Sequence, residues 1–402
     1  MSKAAPASTG LPRHSAVRFI VLLGVVDLFA DMTYEGARSV TGPYLGVLGA
    51  SAALVGFIAG FGEFLGYALR LVSGYLSDRT GSYWPITIVG YGINLLAVPL
   101  LALTGRWELA VLLIVAERAG RGIRVPARDA MLSHAGSQTG LGWGFGLHGA
   151  LDQTGAILGP LIVGAVLYLK GGYQGAFAIL AIPAVLTMML LFAARHFYPR
   201  PRDLDVAPPD LTAGHLPRRF WVYAAATALI AAGYADFPLI AFHFGKTGLI
   251  APVWIPVLYS LAMAAAAIAA LLLGRLFDRI GIGAMILATC ASALSAPLAF
   301  LGGPAAAMTG MVLWGIGMGA QGSVMRAAIA PLAPASQRGT AYGIFNAAYG
   351  LAWFAGSSLL GVLYDWSVPA LAAVSVLLQG VAVAILWRVL WSPPERPATP
   401  VP

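Results

Sequence analysis

Apolar runs of about 20 residues or more recur twelve times along the chain, separated by short polar breaks rich in Gly, Pro and charge. A run of that length spans a bilayer as a helix. In the first half the runs cover residues 17–43, 51–76, 84–104, 108–131, 142–168 and 175–195. In the second half they cover 219–244, 251–275, 283–302, 305–330, 339–363 and 368–391. The pattern predicts an all-α membrane protein of two six-helix bundles, 17–195 and 219–391. Residues 1–16 form a polar N-terminal tail, and the Pro- and charge-rich stretch 196–218 reads as a linker. The proline-rich end, 392–402, is expected to be disordered.

Composition narrows the class. Hydrophobic residues make up 59% of the 402 and charged residues 10%, against roughly 25% charged in soluble domains. A mean hydropathy of +0.81 excludes a single soluble core. The sequence pI near 9.7 does not indicate nucleic acid, because no basic stretch carries interleaved aromatics. The cations are instead one-sided. With both termini inside, Lys3, Arg13, Arg18, Arg79, Arg195, Arg200, Arg202, Arg218, Arg219, Arg275, Arg279, Arg338, Arg388 and Arg396 all fall on the inner side. Only Arg106, Lys170 and Lys246 fall on the outer side. That bias predicts cytoplasmic termini. The first apolar run is too long for a signal-peptide core, so it reads as a retained helix. The one cysteine, Cys290, rules out intrachain disulfides and thiolate clusters, and nothing implies a metal or a cofactor.

The chain also repeats itself. Gly74-x-Leu76-x-Asp78-Arg79-x-Gly81 returns as Gly274-x-Leu276-x-Asp278-Arg279-x-Gly281, an offset of half the chain. A duplicated helix bundle is a common way to build an alternating-access transporter.

These motifs resemble the major facilitator superfamily over essentially the whole chain. Residues 74–81 are similar to its G-x-L-x-D-R-x-G loop, although Ser82 and Tyr83 stand where basic residues usually follow. Arg118-Ala-Gly-Arg121-Gly122 resembles its R-x-x-Q-G pattern, with Arg121 in place of Gln. Gly155-x-x-x-Gly159-Pro160-x-x-x-Gly164 resembles its antiporter motif, with Val163 replacing one glycine. Residues 120–130 look like a bacterial efflux-type subgroup, and residues 337–346 match a common pattern of the tenth and eleventh helices. The resemblance implies a monomeric secondary transporter of the bacterial inner membrane. It implies proton-coupled export of a small organic molecule, with a symporter or uniporter for an organic anion as the alternative. It also implies a cytoplasmic gate in which Asp78 meets the start of the eleventh helix near Gly339. The gate set then comprises Gly74, Asp78, Arg79, Gly81, Asp278, Arg279 and Arg338, with the bending glycines Gly155 and Gly159 beside Pro160.

Buried charge supplies the candidate chemistry. Asp27, Asp31 and Glu35 are spaced four apart, so they share one face of the first helix. Carboxylates at bilayer depth cost about 2.5 kcal/mol or more each when they face lipid, so they line a cavity or pair with cations. Glu63 in the second helix is a similar case, with Arg70 almost in line below it. Arg118, Arg121, Arg124 and Arg128 lie within an arc of about 120° on the fourth helix. Arginine stays charged whatever surrounds it. Arg118 and Arg121 therefore need Glu117, the first-helix carboxylates or a substrate anion. Arg124, Arg128 and Asp129 are expected as a cytoplasmic gate cluster, with Pro126 kinking or ending the helix just before Arg128. His148 and Asp152, four apart on the fifth helix, suit either a proton relay or a simple hydrogen bond. In the second half Asp236, His243 and Asn346 are the main polar positions inside apolar runs.

No phosphate-binding loop is present, so ATP does not drive the protein. No His-Glu-x-x-His motif, strained nucleophile turn or paired-aspartate pattern suggests an enzyme. The expected partners are a small-molecule substrate, protons and the lipid bilayer.

Overall fold

The twelve apolar runs fold as twelve spans, several of them broken near mid-membrane. The computed structural model describes residues 13–139, 141–199, 216–329, 332–333 and 338–391, and among them there is no strand. The side chains of Asp78, Trp143, Phe145 and Arg338 lie outside that description, as do most of the linker and the whole tail 392–402. The first half contains α1 (Arg13–Val47), α2 (Ala52–Thr80), α3 (Tyr83–Leu100), α4 (Trp107–Thr139) and α5 (Leu141–Tyr168). Its sixth span is split into α6 (Gly172–Ile179) and α7 (Ala181–Phe197). The second half opens with a split span, α8 (Arg218–Gly233) and α9 (Phe237–Thr247), followed by α10 (Trp254–Ile280). Two further split spans are α11 (Gly283–Ala293) with α12 (Ser295–Leu301) and α13 (Pro304–Gly322) with α14 (Val324–Ala327). The chain closes with α15 (Arg338–Trp366) and α16 (Val368–Trp391). Nine of the spans are long and apolar enough to cross a membrane on composition alone. α1 and α4 are not among them, and they are the two helices that carry rows of charge.

The two halves meet where α1 packs on α9, α2 on α15 and α5 on α10. Glycines set the closeness of this seam. A β-carbon at Gly42 would fall onto the Pro238 carbonyl, and one at Gly56 onto the Ser357 carbonyl. At Gly46 it would lie 3.0 Å from the Phe242 ring. Between α5 and α10, Ser260 Oγ donates to the Ile157 carbonyl at 2.8 Å, and Gln153 Nε2 donates to that of Met263 at 3.0 Å. All these contacts lie in the middle of the molecule or toward the side away from the chain ends. Toward the terminal side the helices diverge: at Gly146, Gly149 and Gly274 a β-carbon would meet nothing within 4 Å among the described residues.

The repeated loop closes α2 and α10 in the same way. Gly81 (φ 66°) and Gly281 (φ 57°) take left-handed backbone that other residues avoid. Their N–H groups bond the carbonyls of Ser77 and Phe277, each at 2.8 Å. Arg79 donates to Tyr75 of its own helix at 3.0 Å. Asp278 and Arg279 are exposed and ion-paired to none of the described residues. The expected pairing of Asp78 with the start of α15 lies outside the described residues.

Of the two outcomes expected at Pro126, the stop does not occur, and α4 runs on to Thr139. A proline inside a helix leaves the carbonyl four residues earlier without its donor. That carbonyl belongs to Gly122, and Ser73 Oγ from α2 donates to it at 3.2 Å. A neighbouring side chain has replaced the missing bond, as membrane helices require.

Candidate functional site

The face shared by Asp27, Asp31 and Glu35 is turned inward against the arginine row of α4. Asp27 is fully buried and takes Arg124 Nη1 at 2.5 Å and Arg128 Nη1 at 2.8 Å. Tyr91 donates to the same carboxylate, and His148 Nε2 meets it at 2.6 Å. Arg124 also lies 3.5 Å from Asp31 and stacks over the Tyr91 ring at 4.2 Å. Arg128 holds Asp129 at 2.7 Å. Burying a charge costs several kcal/mol unless it is paired and fully bonded, which accounts for the density of this cluster. Arg124 and Arg128, expected at the gate, pair with Asp27 of α1 inside the first bundle. His148 meets Asp27 instead of its own-helix neighbour Asp152. Asp152 is half-buried and forms no ion pair among the described residues.

Gly155 and Gly159 serve the same packing. β-carbons there would fall onto the carbonyls of Leu28 and Met32, so these glycines lay α5 directly on α1. This contact is inside the first bundle and does not cross the seam.

A second cluster occupies the middle of the molecule. The Tyr34 ring is stacked by Arg121 at 4.1 Å and Arg118 at 4.8 Å. Its hydroxyl accepts from Arg118 and, at 3.2 Å, from Arg38. Glu63 joins Arg118 at 2.8 Å to Arg38 at 3.5 Å. Glu117 is fixed by Asn94 Nδ2 at 2.7 Å and lies 3.5 Å from Arg118. Glu35 lies 3.9 Å from Arg121 and accepts from Tyr259 of the second half at 2.6 Å.

The second half contributes one buried carboxylate, Asp236, at the break between α8 and α9. It occupies the N-cap position of α9 without capping it. Its Oδ2 instead accepts from Trp353 Nε1 at 2.9 Å and Ser357 Oγ at 2.6 Å. Its Oδ1 lies 3.5 Å from Arg38 across the seam. The break exposes backbone carbonyls, and side chains satisfy them. Trp314 Nε1 donates to Ala235 at 2.9 Å, and Ser375 Oγ donates to Gly233 at 2.6 Å.

Between the halves lies a cavity of about 180 Å³. Glu35, Arg38, Glu63 and Arg121 border it toward the centre, and Arg70 and Arg326 border it toward the terminal side. Tyr67, Phe345, Asn346, Tyr349 and Trp353 supply the rest of the relevant wall. A shallower hollow of about 820 Å³ lies on the opposite face, flanked by Lys170, Lys246 and Asp365. His243 pairs with Tyr364 at 3.0 Å and does not reach the cavity.

Sequence reasoning found the charged rows, and it undervalued the residues that organise them. Arg38, Tyr34, Tyr91, Asn94 and Tyr259 were legible only as phase relationships. Tyr34 sits seven residues after Asp27 and four before Arg38, on the charged face of α1.

Known proteins are similar to this chain in sequence and in fold. The Major Facilitator Superfamily profile matches residues 28–357. An uncharacterised protein of Mycobacterium tuberculosis is 40% identical over 385 residues, covering 94% of this chain and 94% of that protein. An uncharacterised MFS-type transporter of Methanocaldococcus jannaschii is 27% identical over 363 residues, covering 87% and 89%. Among solved structures, a mutant of the nucleoside transporter NupG superposes with a TM-score of 0.75 at 14% identity, covering 93% of this chain and all of that one. That likeness concerns the fold alone. With two six-helix bundles, a central cavity between them and a family match over most of its length, the chain belongs to the major facilitator superfamily of membrane transporters.

Proposed function

We propose that the protein is a proton-coupled, alternating-access exporter of a small organic solute, working as a monomer in a bacterial inner membrane with both termini cytoplasmic. The observation that carries this reading is the Arg38–Asp236 contact, a buried ion pair across a seam otherwise held by close glycine packing and hydrogen bonds. Opening the far side must pull Arg38 away from Asp236. A carboxylate left without its cation inside a membrane takes up a proton or a solute cation. Rocking of the halves is thereby linked to protonation. The cavity lies toward the terminal side, where a cytoplasmic solute would load.

Proton symport of an organic anion is a second reading, supported by the four arginines against two glutamates among the cavity's lining residues. Reconstitution in proteoliposomes tests both. Solutes that stabilise the detergent-solubilised protein should show counterflow, and a protonophore should abolish their uphill movement. Asp236→Asn should retain counterflow while losing the response to a pH gradient. Uphill movement that is indifferent to the protonophore would remove proton coupling. An absence of counterflow for every stabilising solute would remove transport.

A further inference from the structure

The carboxylates bordering the cavity are engaged, and two of its arginines are not. Glu63 is held by Arg38 and Arg118, and Glu35 by Arg121 and Tyr259. Arg70 and Arg326 ion-pair with none of the described residues, although both border the cavity at its terminal end. Arg70 rests over the Tyr67 ring at 4.9 Å, and its buried Nε hydrogen-bonds nothing. Across from it, Gln321 spends its Oε1 on the Tyr349 hydroxyl, and its Nε2 is buried without an acceptor. The charged groups left over at this end are thus two guanidiniums, joined by the Gln321 amide N–H and by the Asn346 side chain, which offers both a donor and an acceptor. Tyr67, Phe345, Tyr349 and Trp353 flank them with ring faces or edges. Guanidinium forks match the two oxygens of a carboxylate or the oxygens of a phosphate. A volume of about 180 Å³ falls below the 300–1,000 Å³ typical of sites for drug-sized ligands, so the solute is small.

We infer that Arg70, Arg326 and Gln321 form the head-group site for a small organic anion whose planar apolar body lies against the Tyr67–Tyr349–Trp353 wall. The inference rests on the transport reading above and names its substrate class. It assigns binding to residues that the ion pairs of α1 and α4 leave free. Arg118 and Arg121 then serve to hold the site's central wall and do not grip the solute.

The test is equilibrium binding in detergent, which needs neither a gradient nor turnover. Phenylacetate, phenylacetamide and phenethylamine share a body and differ in head charge, and phenyl phosphate separates the two anionic heads. At least one of the two anions should stabilise the protein against heat, and the amide and amine should not. Arg70→Gln and Arg326→Gln should each weaken anion binding about tenfold or more, Arg70→Lys should recover part of it, and the exposed Arg275→Gln should leave it unchanged. Arg326 is exposed, so its variant keeps the test valid if Arg70→Gln fails to fold. Equal or tighter binding of the amide or amine, binding of neither anion, or indifference to both arginine variants would overturn the inference. Loss of anion selectivity with intact counterflow and intact protonophore-sensitive uphill movement would overturn this inference alone. Anion binding without counterflow would overturn the transport reading alone.

Discussion

Arg38 of the first half and Asp236 of the second meet at 3.5 Å in the buried middle of the seam, and the same guanidinium lies 3.5 Å from Glu63. One cation is thus shared between a partner that moves with it and a partner that moves away. Charge-assisted contacts of this type contribute about 1.5–3 kcal/mol when they are well formed, and this one is long. Asp236→Asn should favour the far-side-open state by about fivefold or more. Cysteine placed at Ser260, which is buried and bonded across the seam, reports the change. With Cys290 replaced, Ser260→Cys should react with a maleimide faster when Asp236→Asn is present. An unchanged rate would show that the pair does not hold the far side closed.

The same chemistry maps the open side. Gly149→Cys and Gly274→Cys project into space that a β-carbon fills without contact among the described residues, and both lie toward the chain ends. A membrane-impermeant maleimide should label both rapidly in inside-out vesicles and slowly in right-side-out ones, with Ser260→Cys slow in each. Reversed labelling would place the termini outside and overturn the orientation expected from the arginine bias.

Asp27 collects two arginines, a tyrosine and a histidine on one carboxylate. Removing it leaves Arg124, 1% exposed, with only a 3.5 Å contact to Asp31. Breaking a buried pair by deleting one partner costs about 3–5 kcal/mol. Asp27→Ala should therefore sharply lower the yield of monodisperse protein and its thermal midpoint in detergent, whatever its effect on transport. Asp278→Asn, at an exposed carboxylate that is ion-paired to none of the described residues, should stay within about 0.5 kcal/mol of the parent.

What the sequence revealed and what it hid follow from the range of the forces involved. Twelve apolar runs are local signals, so most spans were legible to within a few residues, as 368–391 and 283–302 show against α16 and α11–α12, whereas the run 108–131 falls eight residues short of the end of α4 at Thr139. The rows Asp27–Asp31–Glu35 and Arg118–Arg121–Arg124–Arg128 were legible because helical phase is local as well. Which carboxylate meets which arginine depends on the rotation of α1 against α4, and Gly155 and Gly159 help set the lie of α1 through distant backbone contacts. That explains why the pairing of Arg124 and Arg128 with Asp27 could not be read from the sequence. It also explains how Arg38, on the charged face of α1, comes to meet Asp236 of the second half.

Gly155 and Gly159 allow a strong contrast. Any side chain at either position meets the Leu28 or Met32 carbonyl, which is backbone and cannot swing aside. Gly159→Val should lower folded yield severely by forcing α5 off α1 and straining the His148–Asp27 contact. Gly149→Val adds a larger side chain to the same helix, in open space, and should be tolerated. Comparable yields of the two variants would mean that α5 and α1 are not packed backbone to backbone.

The Ser73–Gly122 contact makes the most discriminating prediction, because it can be tested with a cycle of substitutions. Ser73 donates to a carbonyl that Pro126 has left without its helical partner. Ser73→Ala should cost about 0.6 kcal/mol and no more than about 1.7, as double-mutant cycles measure for hydrogen bonds between membrane helices. Pro126→Ala restores a backbone N–H at the position that bonds the same carbonyl within α4. In that background Ser73→Ala should cost little, since the acceptor is already satisfied. The coupling between the two substitutions, read from thermal midpoints of the four variants, should be nearly as large as the single Ser73→Ala effect. Additive effects would mean that Ser73 stabilises α2 against α4 by packing, and that the Gly122 carbonyl finds its donor elsewhere.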